Sequence, residues 1–132
     1  MADVMAGHVP ILVNTLLPVL PLAKAGRLKI LGVTTARRTP ILPDIPAIAE
    51  TVPGYEAAIW WGLLGPAGLP RDIVSRVNSE VAAILAEPET IKWFTSQAAE
   101  PAPATPDAFR KMIAGDLQRW SKVARDTGIT LQ

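Results

Sequence analysis

Short uninterrupted apolar runs and amphipathic stretches of helical period follow one another along the chain. Residues 9–13, Val-Pro-Ile-Leu-Val, have the length and composition of a strand buried on both faces. Asn14 and Thr15 stand where that run ends, and both residue types favour the N-cap position, so residues 16–25 read as a helix closed by Gly26. Pro18 falls in its first turn, where a missing N–H costs nothing, whereas Pro21 predicts a bend or a shortened end. Residues 28–34 form the next apolar run. The resulting β-α-β order favours a parallel sheet with a right-handed crossover. Residues 1–7 read as the tail of a preceding helix.

Between residues 35 and 55 the pattern breaks, because Pro40, Pro43, Pro46 and Pro53 lie too close together for any long element. An extended connection with one helical turn near residues 47–50 is expected, and a connection of this length in a compact domain is usually functional or joins two substructures. Residues 57–64 form a further apolar strand, and the Gly65-Pro66-Ala67-Gly68 turn then leads to a helix over residues 70–87 with Pro70 at its start. That helix places Ile73, Val74, Val77, Val81, Ile84 and Leu85 along one stripe. Pro88 opens a short helix carrying Ile91, Trp93 and Phe94 as a core wedge, and Pro101-Ala102-Pro103 is a stiff linker. Thr105-Pro106-Asp107 caps the last helix, whose Phe109, Met112, Ile113, Leu117, Trp120 and Val123 recur at helical spacing before Gly128 stops it.

At 132 residues and 49% hydrophobic content the chain can build a core and is not disordered. Thirteen Lys and Arg against twelve Asp and Glu leave a net charge of +1, so no global field attracts nucleic acid or an anionic membrane. One local asymmetry remains, since the only charges between Asp3 and Asp44 are Lys24, Arg27, Lys29, Arg37 and Arg38. Those cations make either a solvated face or a rim that attracts anionic ligands. Residues 9–23 are apolar enough to imitate the core of a signal peptide. They lack a basic leader, are interrupted by Pro10, Pro18 and Pro21, and are too short to span a bilayer, so the chain as written is expected to carry neither export signal nor membrane anchor.

Chemistry is sparse. Cysteine is absent, which removes disulfides, thiolate metal ligands and a cysteine nucleophile. The single histidine, His8, lies in a loop, and Ser75, Ser79, Ser96 and Ser121 all fall in predicted helices without a nucleophile elbow. The acids are scattered rather than clustered at ligand spacing, and no glycine-rich phosphate loop is present. The expectation is therefore a protein that is not an enzyme and needs neither cofactor nor metal. What remain are polar turns at strand ends, chiefly Asn14-Thr15, Thr34-Thr35 and residues 65–69, where helix N-terminal N–H groups suit a small anion.

An ordered series of residues then resembles a known family. It runs through Leu20-Pro21, Lys24-Ala25-Gly26-Arg27-Leu28, Val33-Thr34, Arg37 or Arg38, Leu42-Pro43-Asp44-Ile45-Pro46 and Pro53-Gly54-Tyr55-Glu56. It continues in Trp61-Gly62, Pro66-Ala67-Gly68, Pro70, Asn78, Glu80, Ala99-Glu100-Pro101, Thr105-Pro106, Phe109, Trp120 and Gly128-Ile129. Over nearly its whole length the chain resembles the C-terminal part of the Bug-type periplasmic solute-binding receptors of tripartite tricarboxylate transport systems. The resemblance implies the βαβ portion of an α/β, type II-like periplasmic-binding-protein fold with two lobes, here incomplete. Residues 1–56 would belong to the second lobe, and residues 57–132 would supply the crossover strand and the C-terminal helices of the first. It also implies a periplasmic location, membrane transporter subunits as partners, and a small organic carboxylate held without covalent chemistry.

Asn14, Thr15, Thr34 and Thr35 are the cleft residues expected to hydrogen-bond that carboxylate. Family members carry an acid where Asn14 stands, so the resemblance makes amino-acid ligands less suitable here. Because the chain is less than half of a family member, exposed sheet edges are expected to be covered in a homo-oligomer. A second reading is a self-associating scaffold module that keeps the fold without transport, and a third is a small α/β enzyme centred on His8.

Overall fold

A computed structural model describes residues 1–129 as two compact units, one formed by Met1–Leu64 with Lys92–Glu100 and the other by Gly65–Ile91 with the chain from Pro101 onward. The helices in chain order are α1 (Ala2–Met5), α2 (Leu16–Lys24), α3 (Arg71–Leu85), α4 (Pro88–Ser96) and α5 (Pro106–Thr127), with one 3-10 turn at Ile48–Glu50.

In the first unit, α2 begins after Thr15 and ends at Lys24, and Gly26 follows in the left-handed region at φ 68°, where glycine carries no Cβ penalty. Pro21 lies inside α2 without shortening it, because the helix is only nine residues long and the Ala25 N–H still reaches the Pro21 carbonyl at 3.0 Å. The Pro-rich connection takes the expected single turn at Ile48–Glu50. Its Ala47 is the one buried hydrophobic residue among those described, 1% exposed, and it pairs in parallel with Val33 through a lone β-bridge. The bridge consists of Val33 N–H to the Pro46 carbonyl at 2.9 Å and Ile48 N–H to the Val33 carbonyl at 3.0 Å. Gly32 permits this approach, since a Cβ there would stand 3.3 Å from the Pro46 carbonyl oxygen.

The expected strands are a correction. Residues 9–13, 28–34 and 57–64 form no ladder with one another among the described residues, and the Val33–Ala47 bridge is the only β-pairing. The Ala57 N–H meets the Thr34 carbonyl at 2.9 Å, but the backbone groups of residues 11–13, 28–32 and 61–64 find no backbone partner among the described residues. Apolar runs record where a strand can lie, whereas a ladder also needs a second strand in register. The described residues thus show helices and connections with one β-bridge rather than the expected βαβ sheet. In the same unit, the rings of Trp93 and Phe94 meet edge to face at 5.0 Å between centroids. Phe94 is half-buried and Trp93 is turned outward, so only one of the pair acts as a wedge.

In the second unit α3 packs against α5. The Asn78 amide on α3 donates to the Ala104 carbonyl at 2.8 Å, tying the stiff Pro linker to the helix. Thr105 caps α5 by accepting from the Ala108 N–H at 3.2 Å, and Gly128 ends it in the left-handed region at φ 70°.

Candidate functional site

The two predicted pairs, Asn14-Thr15 and Thr34-Thr35, both lie in the first unit, and no hydrogen bond joins one pair to the other among the described residues. Asn14 Oδ1 accepts from the Thr15 N–H at 2.7 Å and from the Thr15 hydroxyl at 3.4 Å. This closes the turn before α2 and occupies the oxygen of Asn14, leaving its Nδ2 donor open. Thr15 makes no side-chain cap to the helix, so the N–H groups of Leu16 and Leu17 also stay open, and Pro18 has none to offer. The arrangement at α2 is an open set of donors rather than a closed cap.

Thr34 follows the Val33 bridge and spends its carbonyl on the Ala57 N–H. Thr35 donates its hydroxyl to the Arg37 carbonyl at 2.6 Å, which shapes the turn and commits that proton. The backbone N–H groups of residues 34–38 point to no acceptor among the described residues. Here too the open donors belong to the main chain.

Four side chains that the sequence did not place together, Arg38, Glu50, Thr39 and Glu100, hold this turn. The Arg38 guanidinium grips the Glu50 carboxylate with both arms, Nε to Oε1 and Nη2 to Oε2 each at 2.8 Å, and its Nη1 reaches the Pro43 carbonyl at 3.3 Å. Glu50 Oε1 also accepts from the Ala47 N–H at 2.9 Å. The Arg38 hydrogen bonds, followed by that from Ala47, draw the Glu50 pKa down to about 2. Thr39, 9% exposed, donates its hydroxyl to Glu100 and accepts from the Ile41 N–H at 3.2 Å, so residues 92–100 are fastened to the turn. Arg38 and Glu50 are twelve residues apart across three prolines, a spacing that signals no helix or strand neighbour.

Together Thr35, Ala36, Arg37, Arg38, Thr39 and Glu100 line an open hollow of about 280 Å³. Arg37 has no anionic partner among the described residues and is the uncommitted cation on that wall. His8 stands 3.9 Å from Asp3 with both side chains in solvent, so the pair has no pocket in which to act as a base. Among the described residues no group of three His, Asp or Glu could hold a metal ion, and no helix is long and apolar enough to cross a membrane. Taken separately, the turn at Asn14-Thr15 offers main-chain N–H donors and one amide donor, and the turn at Thr34-Thr35 offers main-chain N–H donors beside one cation, sets suited to anion binding.

Residues 1–129 match the family described as the tripartite tricarboxylate transporter family receptor. Protein BugT of Bordetella pertussis is 30% identical over 98% of this chain, which spans 40% of BugT. Among solved structures, R. palustris Rpa4515 with adipate superposes at a TM-score of 0.78 with 37% identity, over 96% of this chain and 43% of that one. The periplasmic binding protein BugD superposes at 0.71 with 27% identity, over 86% of this chain and 39% of its own. The chain therefore spans about two fifths of the length of these relatives.

Proposed function

Because this chain belongs to the tripartite tricarboxylate transporter receptor family, of Bug type, we propose that it grips a small organic carboxylate, with Asn14, Thr15, Thr34 and Thr35 framing the site. The observation that carries the reading is the pair of polar turns at which the N–H groups of Leu16, Leu17 and residues 34–38 have no acceptor among the described residues. A carboxylate resting on the Leu16 and Leu17 N–H groups meets the positive end of α2, worth roughly 0.3–1 kcal/mol when exposed, with charge-assisted hydrogen bonds added. Asn14 contributes its Nδ2 donor. Thr15 and Thr35 act through turn shape rather than through their hydroxyl protons, which are already committed, and Thr34 fixes the entry to the second turn.

The relative solved with adipate supports a ligand bearing carboxylates. A periplasmic location, delivery to membrane transporter subunits, and division into a lobe of residues 1–56 and another of residues 57–132 are part of the same proposal. The compact units differ from that division, since the first extends to Leu64 and includes Lys92–Glu100.

Calorimetric titration with adipate, succinate, citrate, nicotinate and benzoate tests the reading. One or more dicarboxylates should release heat, and Asn14→Ala should weaken binding about tenfold, the equivalent of one hydrogen bond to a charged group. Absence of heat and of any melting shift with all five compounds would overturn ligand binding by this chain.

A further inference from the structure

We propose, resting on the carboxylate reading above, that Arg38 and Glu50 are positioning residues for it: their ion pair holds the Thr34-Thr35 turn in the shape that presents its main-chain N–H groups to the carboxylate. Both ends of residues 34–37 are tied to one short stretch of the Pro-rich connection. Before the turn, Val33 donates its N–H to the Pro46 carbonyl at 2.9 Å and accepts from the Ile48 N–H at 3.0 Å. After it, Arg38 grips the Glu50 carboxylate through Nε and Nη2, each at 2.8 Å. Glu50 Oε1 also accepts from the Ala47 N–H at 2.9 Å, so the stretch that carries one tie carries the other.

The circuit through Val33, Ala47, Glu50 and Arg38 is stiff at each link. Ala47 is 1% exposed, and the 3-10 turn beside it closes with the Glu50 N–H on the Ala47 carbonyl and the Thr51 N–H on the Ile48 carbonyl, each at 3.0 Å. A guanidinium fork on two carboxylate oxygens fixes the direction of residue 38 as well as its distance, which a point charge does not. Beyond it, Thr39 donates its hydroxyl to Glu100 and accepts from the Ile41 N–H at 3.2 Å, so the chain leaving the turn is anchored too. A turn held at both ends loses little freedom when an anion settles on it, and that saving appears as affinity.

These two side chains act through the turn and not on the carboxylate itself. Each of the three guanidinium nitrogens of Arg38 already has a protein acceptor, Nη1 at the Pro43 carbonyl 3.3 Å away, and Glu50 is an anion that would repel a carboxylate. Charge and geometry therefore predict opposite results. If charge alone mattered, Glu50→Gln would strengthen carboxylate binding and Arg38→Lys would leave it unchanged, whereas loss of the two-armed grip weakens it in both. With side chains 46% and 44% exposed, the pair adds little to global stability, so both variants remain folded.

The test titrates the native chain, Arg38→Lys and Glu50→Gln at neutral pH with whichever of adipate, succinate, citrate, nicotinate and benzoate binds the native chain most tightly. Both variants should bind about tenfold more weakly, the equivalent of one charge-assisted hydrogen bond lost to misplacement, with helical circular dichroism unchanged. Nuclear magnetic relaxation reports the cause. The N–H order parameters of residues 34–37 should lie near the rigid value of about 0.85 in the native chain and fall toward about 0.6 in both variants, while those of α2 keep their native values. An equal fall in α2 would mean general loosening and would overturn the positioning role. Unchanged affinity in both variants, or tighter binding by Glu50→Gln, would overturn it while leaving the receptor reading standing. No heat from the native chain with any of the five compounds would overturn the reading and the positioning role with it.

Discussion

Glu50 is the residue on which the Pro-rich connection turns. Three hydrogen bonds converge on its carboxylate, two from Arg38 and one from Ala47, and they draw its pKa from 4.5 to about 2. A carboxyl group with a depressed pKa contributes stability that is present above its unfolded value and lost as pH falls through its folded value. The first unit should therefore lose this contribution between about pH 4.5 and pH 2. Glu50→Gln should flatten that part of the acid-unfolding profile followed by circular dichroism, and the carboxyl resonance of Glu50 should titrate near the lower limit. The signal for this pair in the sequence is weak, because nothing in the spacing of Arg38 and Glu50 marks them as neighbours. Asn14 and Thr15 are the opposite case, since a polar pair between an apolar run and a helical stretch announces a turn whatever the rest of the fold does.

Among the elements, the helices follow local rules and the strands do not. α5 has its cap, its first-turn acid Asp107, its apolar period and its glycine stop all within its own residues. Thr105→Ala should consequently lower the stability of the second unit by about 1 kcal/mol, read as a shift in its urea midpoint without change in slope. α2 keeps its length despite Pro21, showing that a proline late in a short helix forfeits little when few intrahelical bonds remain to be lost. Residues 9–13, 28–34 and 57–64 carry equally clear strand patterns, yet only Val33 is bridged. The pattern of a strand is local, but its hydrogen bonds come from elsewhere.

For the whole molecule, a net charge of +1 leaves little global field for salt to screen. Family membership was legible in the ordered series from Leu20-Pro21 to Gly128-Ile129, because those turns and caps are spelled by residues adjacent in the chain. The brace of Arg38, Glu50, Thr39 and Glu100 was not, because it joins residues brought together only by the folded connection.

The sequence by itself determined the main helices, the cap and stop of α5, the polar turns at Asn14-Thr15 and Thr34-Thr35, and the shortage of reactive side chains. Each of these depends on residues within a turn or two of one another, where backbone preference and side-chain capping act. Only the tertiary structure decided which apolar runs are paired, which donors at the turns remain free, and that Arg38 is spent on Glu50 while Arg37 is not. Those outcomes rest on which distant groups come within hydrogen-bonding range, and distance in space is not written in distance along the chain.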